Sequence, residues 1–401
     1  MTQDRIKVLH VGKFYPPHMG GIETHVQTLC RELQKRCEVE VLVANETRRD
    51  EQFWDDQIKV TRVGTRFTVS GAPICPGLPG KIRRAKADIV HVHLPNPPAI
   101  LAVLASGYRG RVIATYHSDI VRQKSMARLF DPFLRFFLKR CSVIIATSAR
   151  YMVTSPVLAD YRERCRVIPY GISVDQFSVC DPAEVAAIRE RYGSRLIISA
   201  GRLIYYKGFE YLVEAMAHVD GHLLIVGEGP LRESLELKSK ALGLQSKISF
   251  LGEIHNQDIA PFFNAADIFA LASVARSEAF AIVQLEAMAC GKPVVNTDLD
   301  SGVPWVSLDG VTGITVPPRD SIALASAINK LLDDSDLRAK YGQAARSRVD
   351  QEFGQDLMVE RMLESYREVL KIPHEKRKLS LTESTAGATT SAPDLDRSAS
   401  V

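Results

Sequence analysis

The chain lacks any run of 18 or more apolar residues among its 401, so no transmembrane helix is expected. It also lacks a Cys-x-x-Cys. Its seven cysteines (30, 37, 75, 141, 165, 180 and 290) are odd in number and scattered. Metal or disulfide use is therefore set aside in favour of free thiols in a reducing compartment. No apolar leader precedes Ile6-Lys7-Val8-Leu9-His10-Val11, so secretion is not expected and a cytoplasmic location is. No Gly-x-Gly-x-x-Gly follows that first apolar run, which argues against a dinucleotide-binding dehydrogenase. No repeat of solenoid period is found.

What is present is an ordinary globular composition, 46% hydrophobic and 24% charged, in a chain long enough for two or three domains. The net charge of +4 hides an asymmetry. Residues 1–170 carry 27 Lys and Arg against 15 Asp and Glu, a net of +12; the remainder carries 24 against 32, a net of −8. Only the first half is thus suited to an anionic surface.

Short β-branched runs alternate with helical patterns throughout. Ile6–Val11, Val39–Ala44, Ile89–His93, Val112–Tyr116 and Val143–Thr147 read as strands, with a first helix over Gly21–Lys35. The pattern repeats with strands at Leu196–Ala200, Leu223–Val226, Ile248–Leu251, Ile268–Leu271 and Pro293–Asn296. Such alternation predicts two doubly wound α/β domains, 1–170 and 171–354, with ligands beyond the strand C-termini. Residues 355–371 form a last helical pattern. Residues 372–401 are charged, then rich in Ser and Thr, and are expected to be disordered.

The most informative stretch runs from Ser277 to Val295. Glu278 and Glu286 bracket seven residues, and Gly291-Lys292-Pro293 then stops a helix before a short strand. An eight-residue helical step spans about 12 Å, the reach of a nucleoside diphosphate-sugar from hexose to ribose. One carboxylate would hold sugar hydroxyls and the other ribose hydroxyls. The N–H groups of Phe280, Ala281, Ile282 and Val283 at the helix start would face the diphosphate. Gly20-Gly21 before the first helix permits close approach of an anion. Arg202 and Lys207, after strand Leu196–Ala200, are two cations suited to a leaving diphosphate.

Taken in order, these motifs resemble the retaining glycosyltransferases of "group 1", family 4, which have the two-domain GT-B fold. Ser277–Glu286, Gly20–Val26, Gly201-Arg202-Leu203 with Lys207-Gly208, and Ile168–Phe177 carry the resemblance. The last resembles the interdomain linker, which in the family usually has Asn where Tyr170 stands. The resemblance implies transfer of a hexose from a donor such as GDP-mannose or a UDP-hexose to a sugar or lipid-linked hydroxyl, in polysaccharide or glycolipid synthesis. It implies no cofactor, no metal and no nucleic-acid partner. It assigns Glu278, Arg202, Lys207 and His117 to catalysis. Gly20, Gly21, Gly229, Ile254, Phe280, Ala281, Ile282, Val283 and Glu286 would bind the donor. It also implies that helix 355–371 crosses back to the first domain. An epimerase, a phosphorylase or a non-catalytic nucleotide-sugar-binding protein are the alternatives.

Three further features call for a reading. His91 and His93 face one side of a strand, but the sequence offers no third ligand at usable spacing, so packing is expected rather than metal binding. Asp298-Leu299-Asp300 superficially matches the metal motif of a different fold, and capping or loop solvation suffices for it. Val121–Cys141 mixes Arg122, Lys124, Arg128, Arg135, Lys139 and Arg140 with seven Phe and Leu, and Pro132 is expected to start or break the helix within it. It is read as a core helix with a basic face, or as a surface for anionic lipid.

Overall fold

The computed structural model describes residues 5–18, 20–119, 124–178, 180–255 and 258–371; the side chains of 124–127 and 178 are not described. Two mainly parallel sheets dominate. The first has eight strands in the order Cys165–Val167, Val143–Ala146, Arg111–Tyr116, Ile89–Leu94, Lys7–Val11, Glu38–Ala44, Ile58–Val63, Glu51–Asp55. Only the last pair is antiparallel. The second has six parallel strands in the order Ile248–Gly252, His222–Val226, Leu196–Ala200, Ile268–Ala270, Val294–Thr297, Gly313–Val316. Ile89–Leu94, Arg111–Tyr116, Val143–Ala146 and Leu196–Ala200 are buried along their whole length. That is why Val143–Ala146 and Leu196–Ala200 read as nearly continuous apolar runs rather than alternating ones.

The chain crosses between the sheets twice, and the crossings touch. Ile172 N–H donates to the Phe353 carbonyl at 2.9 Å, and Gln355 N–H to the Ile172 carbonyl at 3.1 Å. Gly171 makes this approach feasible, since a Cβ there would lie 2.8 Å from both Gln355 Cα and the Gly354 oxygen. Helix Gln355–Lys371 then lays Met358, Met362, Leu363, Tyr366 and Val369 against Leu29, Ile58, Ile89 and Ile113 of the first domain.

Pro132 neither starts nor breaks its helix, which runs unbroken over Lys124–Arg140. Burial of Phe137 and Leu138 holds the turn after it, and the carbonyl that loses its donor belongs to exposed Arg128. The tail 372–401 lies outside the described residues.

Candidate functional site

Loops at the strand C-termini of both sheets surround one cleft of about 930 Å³. Gly20, Gly21, His117, Arg202, Lys207, Gly229, Ile254, Glu278, Phe280, Ala281, Ile282, Val283 and Glu286 all border it. Gly227, at φ 127, lets two of these loops meet: a Cβ there would sit 2.2 Å from the Gly201 oxygen. At Gly21 a Cβ would meet no protein atom within 4 Å, so the space beside it is cleft.

Glu278 is not on a helix with Glu286. The helix spans only Ile282–Ala289, and Glu278 stands in the loop before it. Ala281 makes the turn at φ 62, a left-handed conformation that costs a non-glycine residue about 1–2 kcal/mol. No side chain caps this helix start, and Phe280 to Val283 border the cleft, so N–H groups there are available to an anion. The Phe280 ring is buried, 4.8 Å from the Tyr170 ring and packed on Trp305 and Phe353. Its side chain thus belongs to the interdomain crossing.

The charges form a tight set. Lys207 Nζ lies 2.6 Å from a Glu278 oxygen, which also accepts from Ser273 Oγ at 3.1 Å. Arg202 is exposed, and no ion pair to it occurs among the described residues. Part of Glu286 faces the cleft, yet burial of its carboxyl pushes the pKa from an ordinary 4.5 up to about 7, with Lys207 opposing the rise. Ribose hydroxyls donating to this group would favour its anion. Nucleotide binding should therefore release a proton below pH 7, with affinity at pH 6 about tenfold weaker than at pH 8. Calorimetry in buffers of different ionisation enthalpy measures that proton, and a pH-independent Kd would remove Glu286 from the ribose. Stability has its own sign. An ionised Glu286 costs the empty fold stability as pH rises from 4.5, fully so above 7, so Glu286→Gln should raise Tm at pH 8.

His117 borders the cleft with both ring nitrogens engaged by protein: Nδ1 with the Tyr170 hydroxyl at 2.5 Å and Nε2 with His93 Nδ1 at 3.0 Å. Burial, then His25, holds its pKa well below the usual imidazole range. Any pull it exerts on a substrate passes through Tyr170. A third histidine does stand beside His91 and His93, contrary to the expectation from spacing: His10, from the adjacent strand. Ring nitrogens of all three are bonded to protein groups. Asp298 pairs with Arg150 of the first domain at 2.7 Å, and Asp300 lies 3.7 Å from the same guanidinium. Asp-x-Asp here joins the two domains.

Comparison with known proteins places this geometry. Residues 182–348 match the model of group 1 glycosyl transferases, and residues 19–176 match that of glycosyltransferase family 4. D-rhamnosyltransferase WbpZ of Pseudomonas aeruginosa is 34% identical over 269 residues, covering 67% of this chain and 70% of that protein. The chain belongs to the group 1, family 4 glycosyltransferases. O-antigen chain mannosyltransferase C of Escherichia coli is 29% identical over 371 residues, 91% of this chain and 99% of that one. Anabaena HepE in complex with UDP superposes with a TM-score of 0.74 at 21% identity, over 90% of this chain and 100% of that one. The fold is GT-B, with two Rossmann-like domains facing the cleft.

Several residues around the glycosyltransferase cleft escape sequence reasoning. Lys13, Asn96, Asp119, Tyr170 and Tyr206 border it, as does the tip of a hairpin, Ser70 to Pro73. The hairpin pairs Phe67–Val69 with Ala72–Ile74. Its signal was available: Ser70 and Gly71 both take positive φ, the two-residue turn that short hairpins favour. Asp119 carries no such signal. Its carboxylate accepts from Tyr116, Tyr151 and Ser155 and pairs with Arg276 of the second domain at 2.9 Å.

Proposed function

We propose that this glycosyltransferase moves a manno-configured hexose, mannose or its 6-deoxy form, from a guanosine diphosphate donor to a hydroxyl acceptor. Transfer would retain the anomeric configuration. The observation that carries the reading is the buried Lys207–Glu278 pair beside an uncapped helix start and Glu286, all in one cleft. In this reading Glu278 takes the sugar and Glu286 the ribose. Arg202, Lys207 and the helix N–H groups take the diphosphate as charge develops on it. The acceptor attacks on the face the leaving group departs from, and the leaving phosphate takes its proton. The similarity to a rhamnosyl- and a mannosyltransferase favours this sugar; a UDP-hexose is the second reading, favoured by the UDP in HepE. A metal-free reaction is supported by the pairing of Asp298 with Arg150. Thermal shifts with GDP, UDP and ADP choose the base, since tight binding raises stability by mass action. NMR of the product's anomeric proton, with activity in EDTA, tests the rest: an inverted product, or inactivation by EDTA that Mg²⁺ reverses, removes the mechanism.

We further propose that the acceptor is carried on a lipid. Helix Lys124–Arg140 presents Leu129, Pro132, Phe133 and Phe136 outward at spacings of one face, with Leu129 79% and Phe136 65% exposed. Such a stripe suits the boundary between headgroups and acyl chains. Arg135 is tied to Asp131 and Asp160 and Arg140 turns toward backbone oxygens, which leaves Arg128 and Lys139 exposed beside the stripe; Arg122 lies outside the described residues. Co-sedimentation with anionic vesicles should therefore retain a salt-resistant part. Replacing Leu129, Phe133 and Phe136 together with Ser should abolish that part. Equal recovery of this variant and the parent would favour a soluble acceptor.

A further inference from the structure

Six hydrogen bonds join seven buried groups end to end beneath the cleft. Thr115 Oγ1 meets His91 Nε2 at 2.7 Å, and His91 Nδ1 meets the Tyr366 hydroxyl at 2.7 Å. Tyr366 reaches His10 Nε2 at 3.4 Å, and His10 Nδ1 meets His93 Nε2 at 3.0 Å. His93 Nδ1 meets His117 Nε2 at 3.0 Å, and His117 Nδ1 meets the Tyr170 hydroxyl at 2.5 Å. The chain thus starts in the first sheet, touches the crossing helix, and ends on the linker at the cleft wall. His25 packs on Tyr170 and His117 beside it.

Proton counting fixes what such a chain can do. Burial holds all four histidines below their usual pKa, so each is neutral, with one N–H and one lone pair. Four imidazoles and three hydroxyls bring seven protons to six links. Only Tyr366 could reverse the direction, by accepting from both sides, and that would strand its own proton in a fully buried place; otherwise all links point one way and the seventh proton sits at one end. Pointing toward Thr115, the chain makes every histidine the Nε2–H tautomer and leaves the Thr115 proton over. Thr115 is 1% exposed, and among the described residues its side chain has only His91 as a recorded partner. A buried donor would be left unpaired, the costly arrangement. Pointing toward Tyr170, every histidine is the Nδ1–H tautomer, and the spare proton is on Tyr170, which borders the cleft.

We infer that Tyr170 is a substrate-binding hydrogen-bond donor, held in that sense by the one-way chain His91–Tyr366–His10–His93–His117. Glu278 borders the same cleft as Tyr170. The cleft thus offers an acceptor-only carboxylate and a phenol with a proton to donate. One sugar hydroxyl can donate to Glu278 and accept from Tyr170, which fixes its orientation as neither group alone would. The sugar is part of the function proposed above; the direction of the chain is not.

The tautomers are measured directly, by long-range proton–nitrogen correlation on the full chain labelled with ¹⁵N-histidine. Four of the ten histidines are expected as Nδ1–H with exchange-protected protons. Four Nε2–H rings, a mixture, an imidazolium or stoichiometric zinc would overturn the inference, and this arm needs no variant and no transferase activity. Tyr366→Phe cuts the chain away from the cleft. His117 should then lose its single tautomer, and kcat/KM for transfer should fall about tenfold while the Kd of bare nucleoside diphosphate stays unchanged. Tyr170→Phe should give at least the same loss of kcat/KM. A lower Tm with the His117 tautomer and kcat/KM unmoved would reduce Tyr366 to packing and overturn the positioning role. A wild-type protein that transfers no sugar, yet shows four Nδ1–H rings, would sink the function and leave the chain standing.

Discussion

Glu278→Gln is expected to abolish sugar transfer while bare nucleoside diphosphate binds as well as before or several-fold tighter. The carboxylate is 7% exposed and spends its charge on Lys207 at 2.6 Å. Gln keeps the shape and the bond from Ser273 but removes the anion assigned to a sugar hydroxyl. Turnover should fall on the order of 100-fold or more, the loss typical of one oriented transition-state group. Removing one partner of a buried pair normally strands the other. Here a diphosphate can replace the lost charge, so Lys207 is released to the ligand. Calorimetry with GDP in the absence of any sugar separates the two effects. Weakened diphosphate binding with transfer retained would reverse the ends of the donor assigned to Glu278 and Glu286.

The fold was legible where strands are buried on both faces. Val143–Ala146 and Leu196–Ala200 contain almost nothing but aliphatic or small residues because they are buried along their whole length. Glu51–Asp55 was not legible. It is a polar edge strand whose only neighbour is Ile58–Val63, and only one side of it needs apolar residues. The start of helix Ile282–Ala289 was also hidden. Ala281 holds the left-handed turn that sequence reasoning reserves for Gly or Asn, so a continuous helix from Glu278 looked natural. Pro132 misled in the opposite way, since tertiary packing overrides its breaking tendency.

That the site's members would border one cleft was legible because their loops follow strand ends, and parallel sheets gather those ends. Their pairings were not. Lys207 and Glu278 lie on different loops, and spacing carries no sign that one would hold the other. His10, His91 and His93 come from two neighbouring strands, and His117 from the loop after a third. His91 and His93 read alone as packing residues, and His117 as a residue at the substrate. Only the register of the sheet, which sets His10 opposite His91, and the return of the last helix with Tyr366, turn them into a chain. Contacts of this kind depend on sheet order, which a single sequence does not encode locally.

Arg202→Ala and Lys207→Ala are both expected to lower transfer on the order of 100-fold or more, and pH should tell them apart. Arg202 is exposed with no ion pair among the described residues. Its loss should weaken diphosphate binding and the chemical step without moving the pH profile. Lys207 is tied to Glu278 and also holds down the pKa of Glu286, which burial has already pushed up to about 7. Without Lys207, Glu286 should keep its proton to higher pH. The rise in nucleotide affinity with pH should then shift upward, toward alkaline conditions. The double variant Lys207→Met with Glu278→Gln should be less unstable than the sum of the singles, because it removes both charges of a coupled pair. Isothermal titration from pH 6 to 9 on the two single variants is the decisive measurement. Identical pH profiles for Arg202→Ala and Lys207→Ala would show that Lys207 does not govern Glu286, and would place the diphosphate clamp on Arg202 and the helix N–H groups alone.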